Sequence, residues 1–326
     1  MRDTAVMRRI AALLCCLSIA LAGCSGSSET TVSGNLRIAL VPTASLLPVV
    51  AAENFGIFKR LGLHVERTES QDLPTMMAGL SKGSYDLAQT VPTLVFVGAE
   101  KGLDLKVVCS MQRSTAEKPN AVWISKDPEL DDIAELRGKS VGVPALTGVL
   151  TDSLLYLMQR AGLSRDDVNL VPLPFPTMGD QLSAGRVDAV IAPIPFASEL
   201  TRRGFIAHGD VVVDAVTAAS NGTVTTAFTA LFSTNGDFAK REPQAIGKWR
   251  EALDQAIDYL EKNPDQARQL LQSWLKMPAA VAARAQLPSW TTAITEADLA
   301  PYLTISKAVG TVHGNLDIAN VMWRAP

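Results

Sequence analysis

The chain contains few of the residues that form metal sites or disulfides. It has four cysteines and three histidines among 326 residues. Three of the cysteines lie within the first 24 residues, so Cys109 is the only thiol of the remaining sequence. A lone cysteine excludes an intrachain disulfide and a cysteine cluster that binds metal, and the histidines lack a second ligand at metal spacing. We therefore predict no metal site, and we expect Cys109 to be a buried core residue.

Excess positive charge, long apolar runs and catalytic motifs are also absent. The formal net charge of the chain is −3, a sign that disfavours nucleic acid as a partner. No segment beyond residue 24 contains the 18 or more consecutive apolar residues of a membrane-spanning helix. The sequence lacks G-x-S-x-G, and Gly138-Lys139-Ser140 precedes a predicted strand instead of following one as in a P-loop. We therefore predict no catalytic residue, no cofactor and no nucleic-acid partner.

The first residues have the features of an export signal. Arginines at positions 2, 8 and 9 precede an apolar run, 10–22, that leads into Leu21-Ala22-Gly23-Cys24. These last four residues resemble the bacterial lipobox, in which the signal is removed before a cysteine that receives a diacylglycerol. We expect residues 1–23 to be a lipoprotein signal peptide, Cys24 to be the lipidation site, and 24–34 to be a flexible tether. The chain would then be exported and held by its lipid at the outer face of the cytoplasmic membrane or in the periplasm. The alternative is an ordinary signal peptide with an incidental cysteine.

One phrase of the chain occurs twice, at a spacing of 102 residues. LPTMMAGLSKGSYDLA begins at Leu73 and FPTMGDQLSAGRVDAV begins at Phe175, with seven identities in the first fourteen positions. The same spacing separates two apolar runs that end at Pro42 and Pro144, and each run is followed by small, hydroxyl-bearing residues. Two further matching signatures, RLGL at 60–63 and RAGL at 160–163, follow these runs. The sequence therefore contains two copies of one structural unit.

Each copy has the pattern β-α-β-α-β. The predicted strands are 36–41, 64–68 and 85–90 in the first copy, and 139–143, 168–173 and 187–192 in the second. The predicted first helices are 47–60 and 149–160, with Ser45 and Thr147 as candidate caps. Strands that alternate with helices favour a parallel sheet, and two copies are too few for a solenoid. We therefore predict an α/β protein with two similar lobes, in which Asp86 and Asp188 bond the turn backbone.

The predicted ligand site lies where the two sheets would face each other. In open parallel sheets, ligands bind beyond the carboxyl ends of the strands, and loops 42–46, 90–93, 145–148 and 193–195 follow such ends. The candidate ligand-binding residues are Thr43, Ala44, Ser45, Thr90, Val91, Pro92, Leu146, Thr147, Gly148, Pro193, Ile194 and Pro195. These loops contain hydroxyls and apolar side chains but no Lys or Arg. A small anion held by helix N-termini and a neutral heterocycle remain alternatives. Trp123 or Phe196 could stack on such a ring, although core packing is the better interpretation of both.

Four stretches carry a resemblance to a known family. They are AAENFGIFKRLGLHVE, the twice-occurring L-S-x-G-x-x-D, DDIAELRGKSVGVPALTGVLTDSLLYLMQRAGL, and DFAKREPQAIGKWREALDQAIDYLEKNPDQA. In this order they resemble the substrate-binding lipoproteins of ABC importers, in the nitrate/sulfonate/taurine and thiamine-pyrimidine-precursor group. The resemblance covers residues 35–322. In one departure from it, Pro193 stands where many relatives have an aromatic residue, which puts a taurine-type pocket in doubt.

The resemblance implies a type II periplasmic-binding-protein-like clamshell with two crossovers between mostly parallel sheets. We expect lobe 1 to comprise residues 35–118, lobe 2 to comprise 119–225, and residues 226–326 to complete lobe 1. The implied function is capture of a sulfonate-, taurine- or nitrate-like anion, or of a pyrimidine-like heterocycle, for an ABC permease and its ATPase subunits. The implied protein is a monomer without catalytic activity that meets the membrane only through its lipid. The alternatives are an enzyme of pyrimidine-precursor synthesis on the same fold and a ligand-sensing lobe pair for a separate receptor.

Overall fold

The computed structural model describes residues 34–70 and 72–325 of the chain. The predicted signal peptide, Cys24 and all but the last residue of the predicted tether lie outside the described residues. The strands within the described residues are β1 (Asn35–Leu40), β2 (His64–Glu69), β3 (Leu87–Thr90), β4 (Leu105–Ser110), β5 (Gln112–Arg113), β6 (Ala121–Ser125), β7 (Ser140–Val143), β8 (Asn169–Pro172), β9 (Ala189–Pro193), β10 (Ile206–Asp210), β11 (Leu231–Asn235) and β12 (Ser289–Trp290).

The helices fill the connections between these strands and most of the C-terminal third. They are α1 (Leu47–Asn54), α2 (Ile57–Arg60), α3 (Leu73–Ser81), α4 (Pro92–Glu100), α5 (Val149–Arg160), α6 (Phe175–Ser183), α7 (Phe196–Arg202), α8 (Val211–Ala219), α9 (Gly236–Arg241), α10 (Pro243–Lys262), α11 (Pro264–Leu275), α12 (Ala279–Ala282) and α13 (Glu296–Ala308). Short 3-10 turns lie at Ala44–Leu46, Ile133–Leu136, Arg165–Asp167 and Ile318–Val321. None of the helices in this part of the chain is long and apolar enough to span a membrane.

Two five-stranded sheets organise the fold, and their strand orders correspond. The first sheet has the order β2-β1-β3-β11-β4 and the second has the order β8-β7-β9-β6-β10. In each sheet the first three strands are parallel, and the fourth and fifth are antiparallel to their neighbours. We call the part built on the first sheet lobe 1 and the part built on the second sheet lobe 2. The prediction of two α/β lobes with mostly parallel sheets is confirmed.

The chain passes between the lobes through two segments. Crossover 1 (residues 111–120) leads from β4 to β6, and crossover 2 (residues 220–230) leads from α8 to β11. Ser114 and Ala227 join the crossovers as an antiparallel bridge, with their backbone N–H groups donating at 2.8 and 2.9 Å. The expected lobe boundaries at residues 118 and 225 fall inside these segments.

The repeated aspartates hold equivalent positions in the two sheets. Asp86 Oδ2 accepts from the Arg37 backbone N–H at 2.8 Å, and Asp188 Oδ2 accepts from the Ser140 N–H at 2.7 Å. The N–H group of each aspartate donates back, to the carbonyl of Arg37 or Ser140, at 2.8 Å. We call this paired contact the aspartate link. It joins the residue before β3 to β1 in lobe 1 and the residue before β9 to β7 in lobe 2, so the prediction that the carboxylates bond their own turns is wrong.

The predicted glycine helix ends are confirmed, and three other local predictions are wrong. Gly62, Gly83, Gly162 and Gly185 end their helices with φ between +67° and +76°, the left-handed region that glycine tolerates. The predicted single helix over 47–60 is divided into α1 and α2 at Gly56, which has φ +66°. Neither predicted hydroxyl cap forms, because Ser45 lies inside a 3-10 turn and Gly148 occupies the N-cap of α5 in place of Thr147.

A helical layer connects the lobes behind the sheets. Helices α4 and α13 pack against α5, and α5 and α13 both pack against α8. One continuous apolar core therefore includes Phe96 from lobe 1, Leu154 and Val212 from lobe 2, and Tyr302 from α13. A fully buried aliphatic or aromatic side chain contributes about 1.5–3 kcal/mol, so this layer holds the two lobes together. Cys109 is fully buried as predicted, and burial raises the pKa of its thiol to about 12.

Candidate functional site

A cavity of about 420 Å³ lies between the lobes and reaches both crossovers. Lobe 1 contributes Val41, Thr43, Ser45, Asp72, Leu73, Pro74, Gln89, Val91 and Leu94. Lobe 2 contributes Pro144, Ala145, Thr147, Gly148, Val149, Leu150, Thr151, Pro172, Leu173, Pro174, Phe175 and Pro193. The crossovers contribute Asn120, Thr229 and Ala230. Because the cavity is lined from both lobes, a change in their separation would alter its contacts with any ligand.

The lining follows from the direction of the parallel strands. The carboxyl ends of β1, β2 and β3 meet at one edge of their sheet, and those of β7, β8 and β9 meet at the equivalent edge of the other. The segments that follow β1, β2, β3, β7 and β8 supply lining residues, and β9 supplies its last residue, Pro193. Each copy of the repeated phrase therefore begins in the cavity wall, with Leu73 in lobe 1 and Phe175 in lobe 2.

Apolar groups dominate the wall. Five prolines and the side chains of Leu73, Leu94, Leu150, Leu173 and Phe175 line the cavity. Phe175 also stacks on Phe196, with ring centroids 5.9 Å apart. The face of the Phe175 ring is flat and the proline rings are rigid, so this wall suits an apolar, planar ligand body.

The polar groups are hydroxyls and amides with defined orientations. Gln89 Oε1 accepts from the buried backbone N–H of Val41 at 2.7 Å, which leaves the Nε2 group as the ligand-facing donor. Thr151 Oγ1 donates to the Ala145 carbonyl at 2.6 Å. Thr43 and Ser45 are more than 90% buried, and their hydroxyls have no hydrogen-bond partner among the described residues. The hydroxyls of Thr43 and Ser45 are therefore available to a ligand.

Formal charge is sparse around the cavity. Among the described lining residues there is no Lys, Arg or His, and Asp72 is the one acid. The carboxylate of Asp72 is exposed and caps α3, where its oxygen accepts from the Thr75 N–H at 3.3 Å. Among the described residues, no group of three His, Cys, Asp or Glu side chains is placed to hold a metal ion.

A second acid lies behind the wall of lobe 2. Asp152 is in the first turn of α5, one residue beyond the lining residue Thr151, and its side chain is 1% exposed. Burial raises the pKa of Asp152 to about 6, while the nearby hydroxyls of Thr311 and Thr93 and the N–H of Gly148 partly oppose that rise. Neither carboxylate oxygen has a regular hydrogen bond within the described residues. At neutral pH the helix end that faces the cavity therefore has a largely ionised acid beside it.

Comparison with known sequences places the chain in a family. The NMT1/THI5-like family profile matches residues 43–267, more than half of the chain. The chain belongs to the NMT1/THI5-like family. A relative in Brachyspira hyodysenteriae, named as an ABC transporter periplasmic binding protein, is 23% identical over 84% of this chain and 79% of its own length. Riboflavin-binding protein RibY of Chloroflexus aurantiacus is 23% identical over 71% of this chain and 63% of its own.

The fold of this NMT1/THI5-like chain is that of periplasmic binding proteins. The alkanesulfonate-binding protein SsuA of Xanthomonas axonopodis pv. citri, solved with MOPS bound, superposes with a TM-score of 0.71 at 20% identity. The superposition covers 90% of this chain and 99% of SsuA. At this level of identity the likeness establishes the fold and leaves the ligand open.

Half of the predicted ligand-binding residues line the cavity of this family member. They are Thr43, Ser45, Val91, Thr147, Gly148 and Pro193. Four others are buried beside it: Thr90 bonds Ser233 at 2.8 Å, the Ala44 carbonyl accepts from Trp290 at 3.0 Å, Pro92 starts α4, and Ile194 packs in the core of lobe 2. Pro195 follows a cis peptide bond at the start of α7, and Leu146 is 46% exposed between two lining residues.

Several lining residues are not among the predicted ones. The loops after β2 and β8 supply Asp72, Leu73, Pro174 and Phe175, and the rule about strand ends that was applied to the other loops would have found them. Crossover residues such as Thr229 carry no sequence signal, since their position depends on long-range pairing. The aromatic residue in the wall is Phe175, whereas Trp123 stacks on His208 at 4.1 Å and does not line the cavity.

Proposed function

We propose that this protein is an exported solute-binding protein that captures a small organic solute between its lobes and delivers it to an ABC importer. The observation that carries the proposal is the cavity of about 420 Å³ lined by both lobes and both crossovers. Such a cavity can couple ligand capture to lobe closure. The names of relatives in the family, as ABC transporter and riboflavin-binding proteins, support the same role. A permease with its ATPase subunits is then the partner, and the binding protein acts as a monomer.

The size and wall of the cavity favour an organic ligand over a bare inorganic anion. Its volume lies within the range of about 300–1,000 Å³ that accommodates drug-sized molecules. A nitrate ion would leave most of the leucine and proline surface without a contact. The ligand therefore has an apolar body that packs against Leu73, Phe175 and their neighbours.

Electrostatics favour a neutral heterocycle over a sulfonate. The N-terminus of α5 offers unpaired N–H groups, which typically stabilise an anion by about 0.3–1 kcal/mol. The ionised Asp152 in the first turn of the same helix opposes that effect, as does Asp72 at the cavity. With no cationic side chain among the described lining residues, an anion gains little at this site. We therefore rank a neutral, planar, acceptor-bearing solute first and an alkanesulfonate second.

The chemistry of the lining supports binding without catalysis. The described lining residues include no cysteine, lysine or histidine, and their one carboxylate is engaged as a helix cap. General acid–base or nucleophilic chemistry requires such groups within hydrogen-bond reach of each other. We accordingly place no reaction step in this cavity.

We propose further that a lipid on Cys24 holds the protein at the membrane. The argument is the Leu-Ala-Gly-Cys motif at the end of the apolar run. Replacement of Cys24 by Ala should move the protein from the membrane fraction to the soluble exported fraction and remove the diacylglycerol mass. If the wild-type protein shows no lipid mass, the ordinary signal peptide is correct.

The test of capture is ligand-induced stabilisation of the exported protein, purified in detergent and stripped by unfolding and refolding. The panel is riboflavin, 4-amino-2-methylpyrimidine, MOPS, taurine and nitrate. A ligand that binds only the native state at about 100 times its Kd adds roughly 2.7 kcal/mol, which is about 5–10 °C in Tm for a protein of this size. A shift with the heterocycles supports our first choice, and a shift with MOPS alone supports the second. No shift with any compound, together with no small molecule in the mass spectrum of the unstripped protein, contradicts the proposal.

A further inference from the structure

Thr229 lies where the two crossovers meet, at the hinge end of the cavity. Its Oγ1 accepts from Gln112 Nε2 at 2.7 Å and from Asn120 Nδ2 at 2.9 Å. Gln112 and Asn120 are near the two ends of crossover 1, and their side chains are 1% and 3% exposed. One hydroxyl of crossover 2 therefore links both ends of crossover 1.

The surrounding backbone fixes the position of this hydroxyl. The buried carboxylate of Asp210 accepts from the N–H groups of Asn120 and Ala121 at 2.7 and 3.0 Å. Tyr302 Oη accepts from the Phe228 N–H at 2.5 Å, one residue before Thr229. Both crossovers are thus held at this point by groups from α13 and from the start of α8.

The hydrogen bonds of Thr229 determine what it offers to a ligand. A hydroxyl has two acceptor lone pairs and one donor hydrogen. Two amide donors occupy both lone pairs, and no acceptor within the described residues receives the hydrogen. Thr229 is partly exposed and lines the cavity. The group that it presents to the cavity is therefore a donor.

The orientation of the two amides decides whether this donor is free. Gln112 Oε1 and Asn120 Oδ1 are buried and have no hydrogen-bond partner in the described part of the chain. Buried polar atoms without a partner are rare in native proteins, and each one needs an explanation. Rotating either amide by half a turn would place an acceptor against Thr229 and consume its hydrogen. The observed orientation leaves two oxygens unpaired and keeps the Thr229 donor free for the cavity.

We propose that Thr229 is a specificity-determining residue, which selects ligands with an oxygen or ring-nitrogen acceptor at their hinge-facing end. The proposal rests on the solute-binding function proposed above and sharpens it. A primary ammonium at that end is rejected, because Thr229 has no lone pair left to receive it. Carbonyl, ring-nitrogen and sulfonate acceptors all satisfy the donor, so this contact sets the orientation of the ligand more than its charge.

The test compares Thr229→Val, which keeps the shape, with Thr229→Ser, which keeps the hydroxyl. Affinities for riboflavin, 4-amino-2-methylpyrimidine and MOPS are measured by calorimetry on the exported protein. We expect Thr229→Val to lose about 10- to 100-fold in affinity for any compound that binds the wild type, as for one lost hydrogen bond with an unpaired partner. Thr229→Ser should stay within about fivefold.

The matched control is Thr234→Val. Thr234 Oγ1 donates to the Asp86 carbonyl at 2.7 Å, is fully buried and lies outside the cavity lining. The Thr234→Val variant should be less stable than the wild type and should bind ligand with wild-type affinity. If the wild type binds a compound and the Thr229→Val and Thr229→Ser variants bind it with equal affinity, the proposal is overturned and the solute-binding function stays intact. Absence of wild-type binding to these three compounds and to taurine and nitrate, together with no small molecule in the mass spectrum of the unstripped protein, would overturn both.

Discussion

The two lobes share a framework and differ in the wall that each presents to the cavity. Both have the strand order, the glycine helix ends and the aspartate link in equivalent positions. Equivalent positions lie 102 residues apart, and some of them carry different side chains. Leu73 corresponds to Phe175, Asp72 to Pro174, and the buried Val50 to the buried Asp152. The repeat thus preserves what holds each sheet together and varies what faces or supports the ligand. The ligand preference should therefore depend on the residues that differ between the lobes.

The largest effect on stability is expected from removing the charge of Asp152 in α5, which has no counterpart at Val50 in α1. Asp152→Asn should stabilise the protein by about 3 kcal/mol at pH 8, since one pKa unit corresponds to about 1.36 kcal/mol and burial raises this pKa from 3.8 to about 6. A raised carboxyl pKa means that the folded state binds the proton more tightly. The stabilising contribution of protonated Asp152 to the free energy of unfolding is therefore fully present below about pH 4 and is lost as the pH rises through about 6.

Urea unfolding from pH 4 to pH 8 measures this effect. The difference between Asp152→Asn and wild type should be small at pH 4, grow up to about pH 6 and then stay constant. Asp265→Asn is the control, because the side chain of Asp265 is 93% exposed and its replacement removes a carboxylate that is not buried. A pH-independent difference would show that Asp152 is not a buried titrating group.

The next largest effect on stability is expected at the aspartate links. It tests how similar the frameworks of the two lobes are. Asp86 accepts from both the backbone and the guanidinium of Arg37, whereas Asp188 accepts from the Ser140 backbone without an arginine. We expect Asp86→Ala to cost about 2 kcal/mol and Asp188→Ala about 1 kcal/mol, chiefly through the unpaired backbone N–H. Chemical denaturation with both variants measures the difference.

Arg37→Ala separates the two parts of the Asp86 effect. The Arg37 side chain is about half exposed, so its ion pair should contribute under about 1 kcal/mol. If Arg37→Ala costs as much as Asp86→Ala, the guanidinium rather than the backbone contact is the main element of that link.

Exchanging the wall residues sharpens the comparison at the ligand. Phe175→Leu gives lobe 2 the side chain of lobe 1 and removes the flat ring, so the affinity for any heterocycle that binds the wild type should fall about tenfold, equivalent to about 1.4 kcal/mol. Leu73→Phe adds a ring on the opposite wall and reports whether space remains there. Isothermal titration on both variants measures the effect. An unchanged affinity for Phe175→Leu would place the ligand away from this wall.

The sequence predicts the framework well because the framework is local and repeated. Apolar runs that end at proline and helices that end at glycine reflect short-range rules, and the structure confirms them in both lobes. The cavity is harder to predict because it forms where distant segments meet. Thr229 lines it only because Ser114 pairs with Ala227 across 113 residues. Ser45 and Thr147 face the cavity instead of capping helices, because a 3-10 turn and Gly148 take over the helix starts.

The smallest expected effect concerns the rim of lobe 2. Leu146 is 46% exposed, and its neighbours Ala145 and Thr147 both line the cavity. Leu146→Ser removes little buried surface, so we expect the free energy of unfolding to stay within about 0.5 kcal/mol of wild type. If Leu146 covers the bound ligand, the same variant should bind any ligand of the wild type a few-fold more weakly, because an apolar contact is lost on closure. Unchanged stability with unchanged affinity would limit the site to the inner wall, and the contrast between Leu73 and Phe175 would then account for the apolar specificity.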